Sequence, residues 1–269
     1  MRGLGRFWRR LKANFEVSLG VMLTYRENVA YFLIFETLFL LAQFLTIQVG
    51  FDVAGGGISG WTRDEAFVLT AINGVSHQIF ICFFISGIFG LTQTVWDGTF
   101  DYVMLKPVPP LAGALMYGQM IVSNFPGLFI TTGLMIFLIG KVWGSLTGAG
   151  VAICALTALI GVFVRVGLAL VVVTPVFFSE RLAQGETSFW SLVRLASYPL
   201  DMYWRPIERL LTFVIPLATM AWIPSGVLFG KEFSVGILWP TVFGAAFVVV
   251  AYAIFAWGVR NYKSVNSGV

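Results

Sequence analysis

Six long apolar stretches follow one another along this chain, with only short polar segments between them. A stretch of about 18 or more apolar residues crosses a bilayer as a helix, because a helix satisfies every backbone N–H and C=O inside hydrocarbon. Only 11% of the residues are charged, well below the proportion in soluble domains. The sequence therefore predicts an all-α integral membrane protein with six transmembrane helices, at residues 29–49, 66–95, 111–139, 149–178, 207–228 and 236–259.

Three of these spans are longer than the ~20 residues that a bilayer requires, so we expect each of them to bend or break. Candidate positions are Asn73-Gly74 in the second span, Pro126 in the third and Pro175 in the fourth. The segment 179–206 is mixed in polarity and permits two interpretations. It is either an interfacial or cytoplasmic helix, or it carries the start of the fifth span and leaves residues 198–228 as a re-entrant region on the far side.

The chain divides into an N-terminal segment (1–28), a single transmembrane domain (29–259) and a C-terminal tail (260–269). In the N-terminal segment apolar residues recur at helical spacing among the cations Arg2, Arg6, Arg9, Arg10 and Lys12, which is typical of an amphipathic helix in the headgroup layer. This helix is either a membrane-surface anchor or a connection that transmits motion from a cytoplasmic partner. The two cysteines, Cys82 and Cys154, lie within apolar runs, and we expect them to be packing residues.

The placement of lysine and arginine predicts the orientation, since cytoplasmic loops carry an excess of these residues. If residues 179–206 are cytoplasmic, thirteen lie on the side that holds the termini and the loop 97–110, while Arg63, Lys141 and Lys231 lie opposite. We therefore expect both termini and this loop in the cytoplasm. The net charge of +4 follows from this excess and does not indicate a nucleic-acid partner.

The loop 97–110 is more elaborate than a simple return between two membrane helices requires. Asp97 or Thr99 can cap a short helix, Gly98 permits a tight departure from the preceding span, and three prolines end the helix. Apolar side chains then share one face, at Phe100, Val103 and Met104, widened by Tyr102 and Leu105. This loop either lies among lipid headgroups or presents a short helix to a soluble partner.

The run GTFDYVMLKPVPPL, from Gly98 to Leu111, resembles the coupling loop of ABC type-2 (ABC-2) permeases. It is most similar to a six-span subgroup of this length, whose loop reads Gly-x-(Phe/Leu)-Asp-x-x-(Met/Leu)-Leu-(Arg/Lys)-Pro. Lys106 stands where arginine is also common, which keeps the charge but loses the bidentate fork. Further similarity lies in Ser188-Phe-Trp190, Tyr198-Pro-Leu200, the run LTFVIP from Leu211 to Pro216, and Trp222-Ile-Pro224 followed by Gly230.

The resemblance implies the permease subunit of an ATP-binding-cassette exporter in a prokaryotic cytoplasmic (inner) membrane. It implies two partners besides lipid: a separate cytoplasmic ATPase, which binds ATP and Mg, and a second permease that is identical or homologous. Gly140-Lys141 and Gly230-Lys231 lack the spacing of a phosphate-binding P-loop, so we expect no cofactor in this chain. The residues that the resemblance assigns to ATPase coupling are Gly98, Phe100, Asp101, Val103, Met104, Leu105, Lys106 and Pro107.

Three ionisable residues, Glu36, His77 and Arg165, lie within the predicted spans. Such groups usually face protein or water, because a charge in hydrocarbon is costly. Glu36 and Arg165 either pair with each other or line a pathway, and His77 is either a hydrogen-bonded structural residue or a proton carrier. A single histidine without a cluster of cysteines or carboxylates predicts no metal site. Two other function classes remain open: a proton-coupled secondary transporter that uses Glu36 and His77, and a membrane-embedded enzyme.

Overall fold

A computed structural model describes residues 2–117, 121–178, 185–231 and 236–263. Within these ranges five helical stretches are long and apolar enough to cross a membrane. They correspond to five of the six predicted spans, so the predicted all-α membrane fold is confirmed. These stretches are Arg26–Val53, Arg63–Trp96, Val122–Val142, Gly148–Phe177 and Leu238–Arg260.

Short turns interrupt several of these stretches and divide them into individual helices. The α-helices are α1 Arg2–Thr24, α2 Arg26–Val53, α3 Arg63–Phe80, α4 Ser86–Trp96, α5 Phe100–Met104, α6 Pro110–Tyr117, α7 Phe125–Val142, α8 Gly148–Val173, α9 Gly185–Leu195, α10 Arg205–Arg209, α11 Trp222–Leu228 and α12 Leu238–Arg260. A small antiparallel hairpin, β1 Gly57–Ile58 and β2 Trp61–Thr62, joins α2 to α3, with Ile58 opposite Trp61.

Two ends of the helix bundle are distinguished below. The loop face is the end that carries residues 97–109, between α4 and α6. The far face is the opposite end, which carries the hairpin between α2 and α3 and the turn between α7 and α8. Thr62 begins α3 at the far face with a reciprocal cap, in which its hydroxyl accepts from the Glu65 N–H and the Glu65 carboxylate accepts from the Thr62 N–H.

Two of the three long spans are interrupted near the position that the sequence predicts, and the second span is not. Helix α3 runs through Asn73-Gly74 without a break, because Gly74 lies against Thr131 of α7 in a close helix contact. The bend in this span is instead a π-helical turn at Ile81–Ile85. The third span is interrupted before Pro126, which lies in the first turn of α7, and Pro175 lies in a 3₁₀ turn at the end of α8.

The fifth predicted span, 207–228, is not one helix. It consists of α10, a π-helical turn at Leu210–Val214, a 3₁₀ turn at Leu217–Met220 and α11. Pro216 follows the non-helical Ile215 and lacks the N–H that a continuous helix requires. Leu217–Met220 and α11 are entirely buried, as irregular backbone at membrane depth must be.

The segment that includes α9, rather than 207–228, carries the chain from the loop-face half of the bundle to the far face. The Phe189 ring lies 5.1 Å from Phe80, whereas Asp201 accepts a hydrogen bond from Trp61 at the far face. The contacts therefore favour the second interpretation of the mixed segment, in which residues 198–228 are the re-entrant region, and in the structure this region begins near Asp201. Residues 179–184 of that segment, with Arg181, lie outside the described residues.

Helix α8 is the central element around which the others pack. Thirteen of its residues are buried, including Arg165. The re-entrant segment packs against it closely at Gly161, where a side chain would collide with the backbone of Thr219 and Met220. At the N-terminal end of the chain, α1 is helical as predicted and its Phe15 ring lies 6.0 Å from Phe125. The side chains of residues 2–11, on which the predicted amphipathic face depends, lie outside the described part.

Candidate functional site

Helix α5, within the loop 97–110, is anchored to the bundle by two of its residues. Phe100 is fully buried, and its ring lies 5.3 Å from Phe177 and 5.2 Å from Tyr262. Val103 is also buried and fills the space beside Gly113 of α6. These two side chains hold α5 on the loop face, so they are not available to a soluble partner.

The opposite side of α5 points away from the protein. Leu105 is 81% exposed and Tyr102 is 66% exposed, and Met104 is exposed as well. The predicted apolar face is therefore divided, because Phe100 and Val103, three residues apart, point inward together. Of the other residues that the resemblance assigns to coupling, Asp101 is half-buried, and Lys106 and Pro107 are exposed.

The start of α5 depends on backbone geometry rather than on the predicted cap. Gly98 has a φ of 69°, a left-handed conformation that glycine adopts without steric strain. Asp97 accepts a hydrogen bond from Gln93, and the Thr99 hydroxyl donates to the Thr94 carbonyl. Neither side chain caps α5, so the prediction of a side-chain cap at Asp97 or Thr99 was wrong.

Helices α4, α5 and α6 pack against one another as one unit on the loop face. Gly87 of α4 lies so close to α6 that an added Cβ would be 2.7 Å from the Leu115 Cα. This unit is connected to the remaining bundle by the π-helical turn Ile81–Ile85 on one side and by the interruption before α7 on the other. The two connections are joined by a hydrogen bond of 3.2 Å from the Ile121 N–H to the Cys82 carbonyl.

A cavity of about 410 Å³ lies between α2, α3, α8 and α9. One of its walls is aromatic, with Phe32, Phe35 and Phe39 on α2 and Trp190 on α9. The remaining lining is rich in polar groups, which are Glu36, Gln43, Asn73, His77, Asn124, Arg165, Arg194 and Ser197. A pocket of this size and mixed lining is typical of small-molecule sites.

Arg165 lies at the centre of the polar wall and is fully buried. Its guanidinium donates to Asn73 Oδ1 at 2.6 Å and lies 3.2 Å from His77 Nδ1. Asn73 in turn donates to the Ser197 hydroxyl at 3.0 Å. The arginine therefore connects α8 to α3, and through Asn73 to the end of the α9 segment, within the interior of the bundle.

Glu36 lines the same cavity from α2 but does not pair with Arg165. Among the described residues, no carboxylate lies within 4.0 Å of the Arg165 guanidinium. The Glu36 side chain lies instead beside Gln78, and both contact the position of Gly127 on α7. The structure thus brings Glu36, His77 and Arg165 to one cavity and joins only His77 and Arg165 directly.

Two residues of this network are absent from the sequence prediction: Asn73, which accepts a hydrogen bond from Arg165, and Ser197, which accepts one from Asn73. Asn73 and His77 are four residues apart on α3 and so lie on one face, which is the pattern that indicates a shared polar partner. Ser197 follows a segment whose path depends on tertiary contacts, so no local pattern indicates its position. Among the described residues there is no group of three or more His, Cys, Asp or Glu side chains that could hold a metal ion.

Comparison with known proteins gives one match. The family model of "ABC-2 family transporter protein" matches residues 37–266. This range includes α5 and most of the cavity lining. The lining residues that precede it are Phe32, Phe35 and Glu36. No curated protein and no solved structure gives a match.

Proposed function

Because the chain belongs to the ABC-2 family of transporter proteins, we propose that it is the permease subunit of an ATP-driven exporter, coupled to a separate ATPase chain. The family match and the membrane-spanning helices support a multi-pass membrane permease of an ABC transporter. The ATPase contact, the pairing of two permeases around a common pathway and the direction of transport are the proposed parts. ATP and Mg would be bound by the ATPase chain.

The observation that carries the proposal is the exposed side of α5. Leu105 and Tyr102 project from a helix that Phe100 and Val103 fix to the bundle. Exposed apolar side chains that form a contiguous patch mark an interaction site, and Tyr102, Met104 and Leu105 are close together in sequence and all exposed. We assign the partner contact to Tyr102, Met104 and Leu105, and assign Phe100 and Val103 to anchoring.

The same unit provides a path from the partner to the cavity. A force on α5 moves α4 and α6 with it, because these helices are in close contact at Gly87. The two connections of the unit both reach the cavity, since Ile81 of the π-helical turn and Asn124 before α7 line it. Displacement of α5 would therefore change the cavity shape, as alternating access requires.

The orientation that fits this function places the loop face in the cytoplasm. Arg205 and Arg209 follow the crossing to the far face in the structure, so they no longer add to the cytoplasmic excess. The cations of the N-terminal segment, the loop and the C-terminal tail still outnumber those at the far face. We propose a prokaryotic cytoplasmic membrane, with both termini on the cytoplasmic side.

The test is a charge placed at Leu105, the exposed residue that directly follows α5. In a complex of this chain with its ATPase, Leu105→Asp should abolish copurification or reduce transport-coupled ATP hydrolysis at least tenfold. A tenfold loss corresponds to about 1.4 kcal/mol of contact free energy, which one buried leucine at an interface supplies. The variant should still insert and fold, because Leu105 is exposed.

Leu238→Asp is the matched control. Leu238 is likewise exposed, at 69%, but it begins α12 at the far face, where an acid is favourable at a helix N-terminus. Normal coupling in Leu105→Asp, or equal loss in both variants, would contradict the assignment of α5 as the ATPase contact.

A proton-coupled secondary transporter is the second candidate, because Glu36 and His77 line one cavity. Its weakness is the position of Arg165, whose cation lies 3.2 Å from the His77 ring and opposes a second positive charge there. The two candidates differ in one measurement. Transport by the purified chain alone, driven by a pH gradient and without any ATPase, would support the secondary transporter.

A further inference from the structure

We propose that the cavity beside Arg165 binds amphipathic anions, with the anionic group at Arg165 and the apolar part along the phenylalanines of α2. This inference rests on the proposed function, since it names the class of molecule that the permease pathway accepts. The shared chemistry is a phosphate, sulfate or carboxylate attached to an apolar body. Such a group comes either from a membrane lipid or from a diffusible organic anion.

Arg165 has incomplete hydrogen-bond and charge partners in the cavity. Its partners, His77 and Asn73, are neutral residues, and the Nε atom has no hydrogen-bond partner among the described residues. A buried cation without a counter-ion is strongly destabilising, and buried polar atoms without partners are rare in native proteins. An anion in the cavity would provide the missing charge.

The cavity lining carries more positive than negative charge. Arg165 and Arg194 contribute two cations and Glu36 one anion, while His77 donates or accepts as a neutral ring. Glu36 lies on α2, as the phenylalanines do, and does not pair with Arg165 on α8. The lining thus carries a positive excess, and its buried cation lies on a different helix from the phenylalanines.

The cavity is large enough for a compact ligand and opens to the surface of the bundle. A volume of about 410 Å³ is at the lower end of typical ligand pockets. It accommodates a compact amphipath, or the headgroup and first methylenes of a lipid whose chains extend outside. Phe32 and Phe35 line the cavity and are also exposed at the surface of α2, Phe35 at 67%. Because α2 is a membrane-spanning helix, we expect the aromatic wall to be accessible to molecules that arrive from the bilayer.

The experiment uses the full chain, purified in a neutral maltoside detergent, and three probes with the same ten-carbon chain. Decyl phosphate is the anionic probe, decyltrimethylammonium the cationic one and decanol the neutral one, each below its micellar concentration. We expect decyl phosphate to raise the unfolding temperature by roughly 3 °C near saturation and to change the tryptophan fluorescence in a way that Trp190→Phe removes, while the other two probes do neither. Equal stabilisation by the cationic probe would overturn the proposal.

Variants on the two walls then locate the site. Arg165→Gln should weaken decyl phosphate binding at least tenfold, and Phe35→Ala about threefold, because it removes apolar contact but lies at an exposed position. Glu36→Gln should strengthen binding several-fold by removing the one anion of the lining. Lys141→Gln, an exposed cation at the end of α7, is the control and should leave binding unchanged.

If Arg165→Gln does not fold, the Glu36→Gln variant and the cationic probe still test whether the cavity prefers anions. Binding that is unchanged in Glu36→Gln and equally strong for the cationic probe would overturn the proposal. Arg165-dependent retention of phosphatidylglycerol by the purified chain, in native mass spectrometry, would identify a membrane lipid as the source. Binding of decyl phosphate without phosphatidylglycerol retention would identify a diffusible anion instead.

These measurements need no ATPase, so the two proposals fail separately. An absence of anion binding would leave the ATPase contact at α5 untouched. Conversely, a failure of Leu105→Asp to affect coupling would not change the affinity of the isolated chain for decyl phosphate.

Discussion

Asp201 is the residue that fastens the re-entrant segment to the far face. Its Oδ2 accepts hydrogen bonds of 2.8 Å from the indole N–H groups of both Trp61 and Trp222, and both rings are almost fully buried. Lys231 lies over the Trp61 ring, with its Nζ 4.7 Å from the ring centroid, and pairs with Glu65 at 2.8 Å. The Asp201 carboxylate thus connects the end of the segment that includes α9 to the hairpin, through Trp61, and to α11, through Trp222.

Removing this acceptor should destabilise the protein. Asp201→Ala leaves two buried indoles without their carboxylate, and we expect a loss of about 2 kcal/mol or more in the free energy of unfolding. Asp201→Asn retains an acceptor oxygen and should cost less. The measurement is thermal unfolding in neutral detergent, and Asp52→Ala, which removes an exposed contact with Gln48, is the control. An equal loss in Asp201→Ala and Asp52→Ala would contradict this role.

For single residues, the sequence identifies the ionisable side chains that are unusual in a membrane span, but not the residues that they contact. Glu36, His77 and Arg165 are conspicuous because charges within apolar spans are expensive, and all three line one cavity. Their pairing depends on helix rotation, which one sequence does not determine. The same holds on α5, where spacing places Phe100 and Val103 on one face but does not indicate that this face points inward.

At the element scale, the close contact of α8 with the re-entrant segment provides a sharp test. Gly161→Ala places a Cβ into the Thr219 backbone, and overpacking of this kind costs about 1–3 kcal/mol. We expect a lower unfolding temperature and impaired transport. Gly140→Ala on α7, where the space is open, should be neutral. If Gly161→Ala were as stable as Gly140→Ala, the packing described here would be wrong.

The π-helical turn gives a second prediction at this scale. Deleting Phe83 from Ile81–Ile85 should restore a regular helix and rotate α4 by about 100° relative to α3. Gly87 would then no longer face Leu115, so α4 would lose its close contact with α6. We expect ATPase binding to persist and coupled ATP hydrolysis to fall. Gly90→Ala, which has open space on α4, is the control; equal coupling in both variants would argue against this connection.

The sequence predicts the helices with long apolar runs well, but it does not predict the path of the polar segment that includes α9. The ends of α2 and α12 lie within a few residues of the predicted spans, because hydrocarbon thickness fixes their length. The segment with α9 carries Glu186 and Arg194 and so resembles an interfacial helix by hydropathy. It nonetheless runs between the two faces of the bundle, and its Trp190, Arg194 and Ser197 line the cavity. Hydropathy does not distinguish a segment that lines a polar cavity from an interfacial helix.

At the scale of the whole molecule, the path of the chain can be tested by side-specific labelling. Cys82 and Cys154 are buried, so we expect a thiol reagent to label them little. The labelling of a single introduced, exposed cysteine can then be measured. We expect Trp143→Cys and Trp204→Cys to react from the same side of the membrane, and Leu105→Cys from the other. Reaction of Trp204→Cys together with Leu105→Cys would restore the interpretation of residues 179–206 as a cytoplasmic segment.

We propose above that the exposed residues of α5 and the adjoining Leu105 contact a separate ATPase. Photocrosslinking from position 105 examines this contact, with a photoreactive amino acid in place of Leu105 in membranes that contain the complete transporter. We expect a covalent adduct between this chain and the ATPase from position 105 and none from position 238. Adducts from position 105 with lipid or with a second copy of the permease alone, while the ATPase is present, would contradict it.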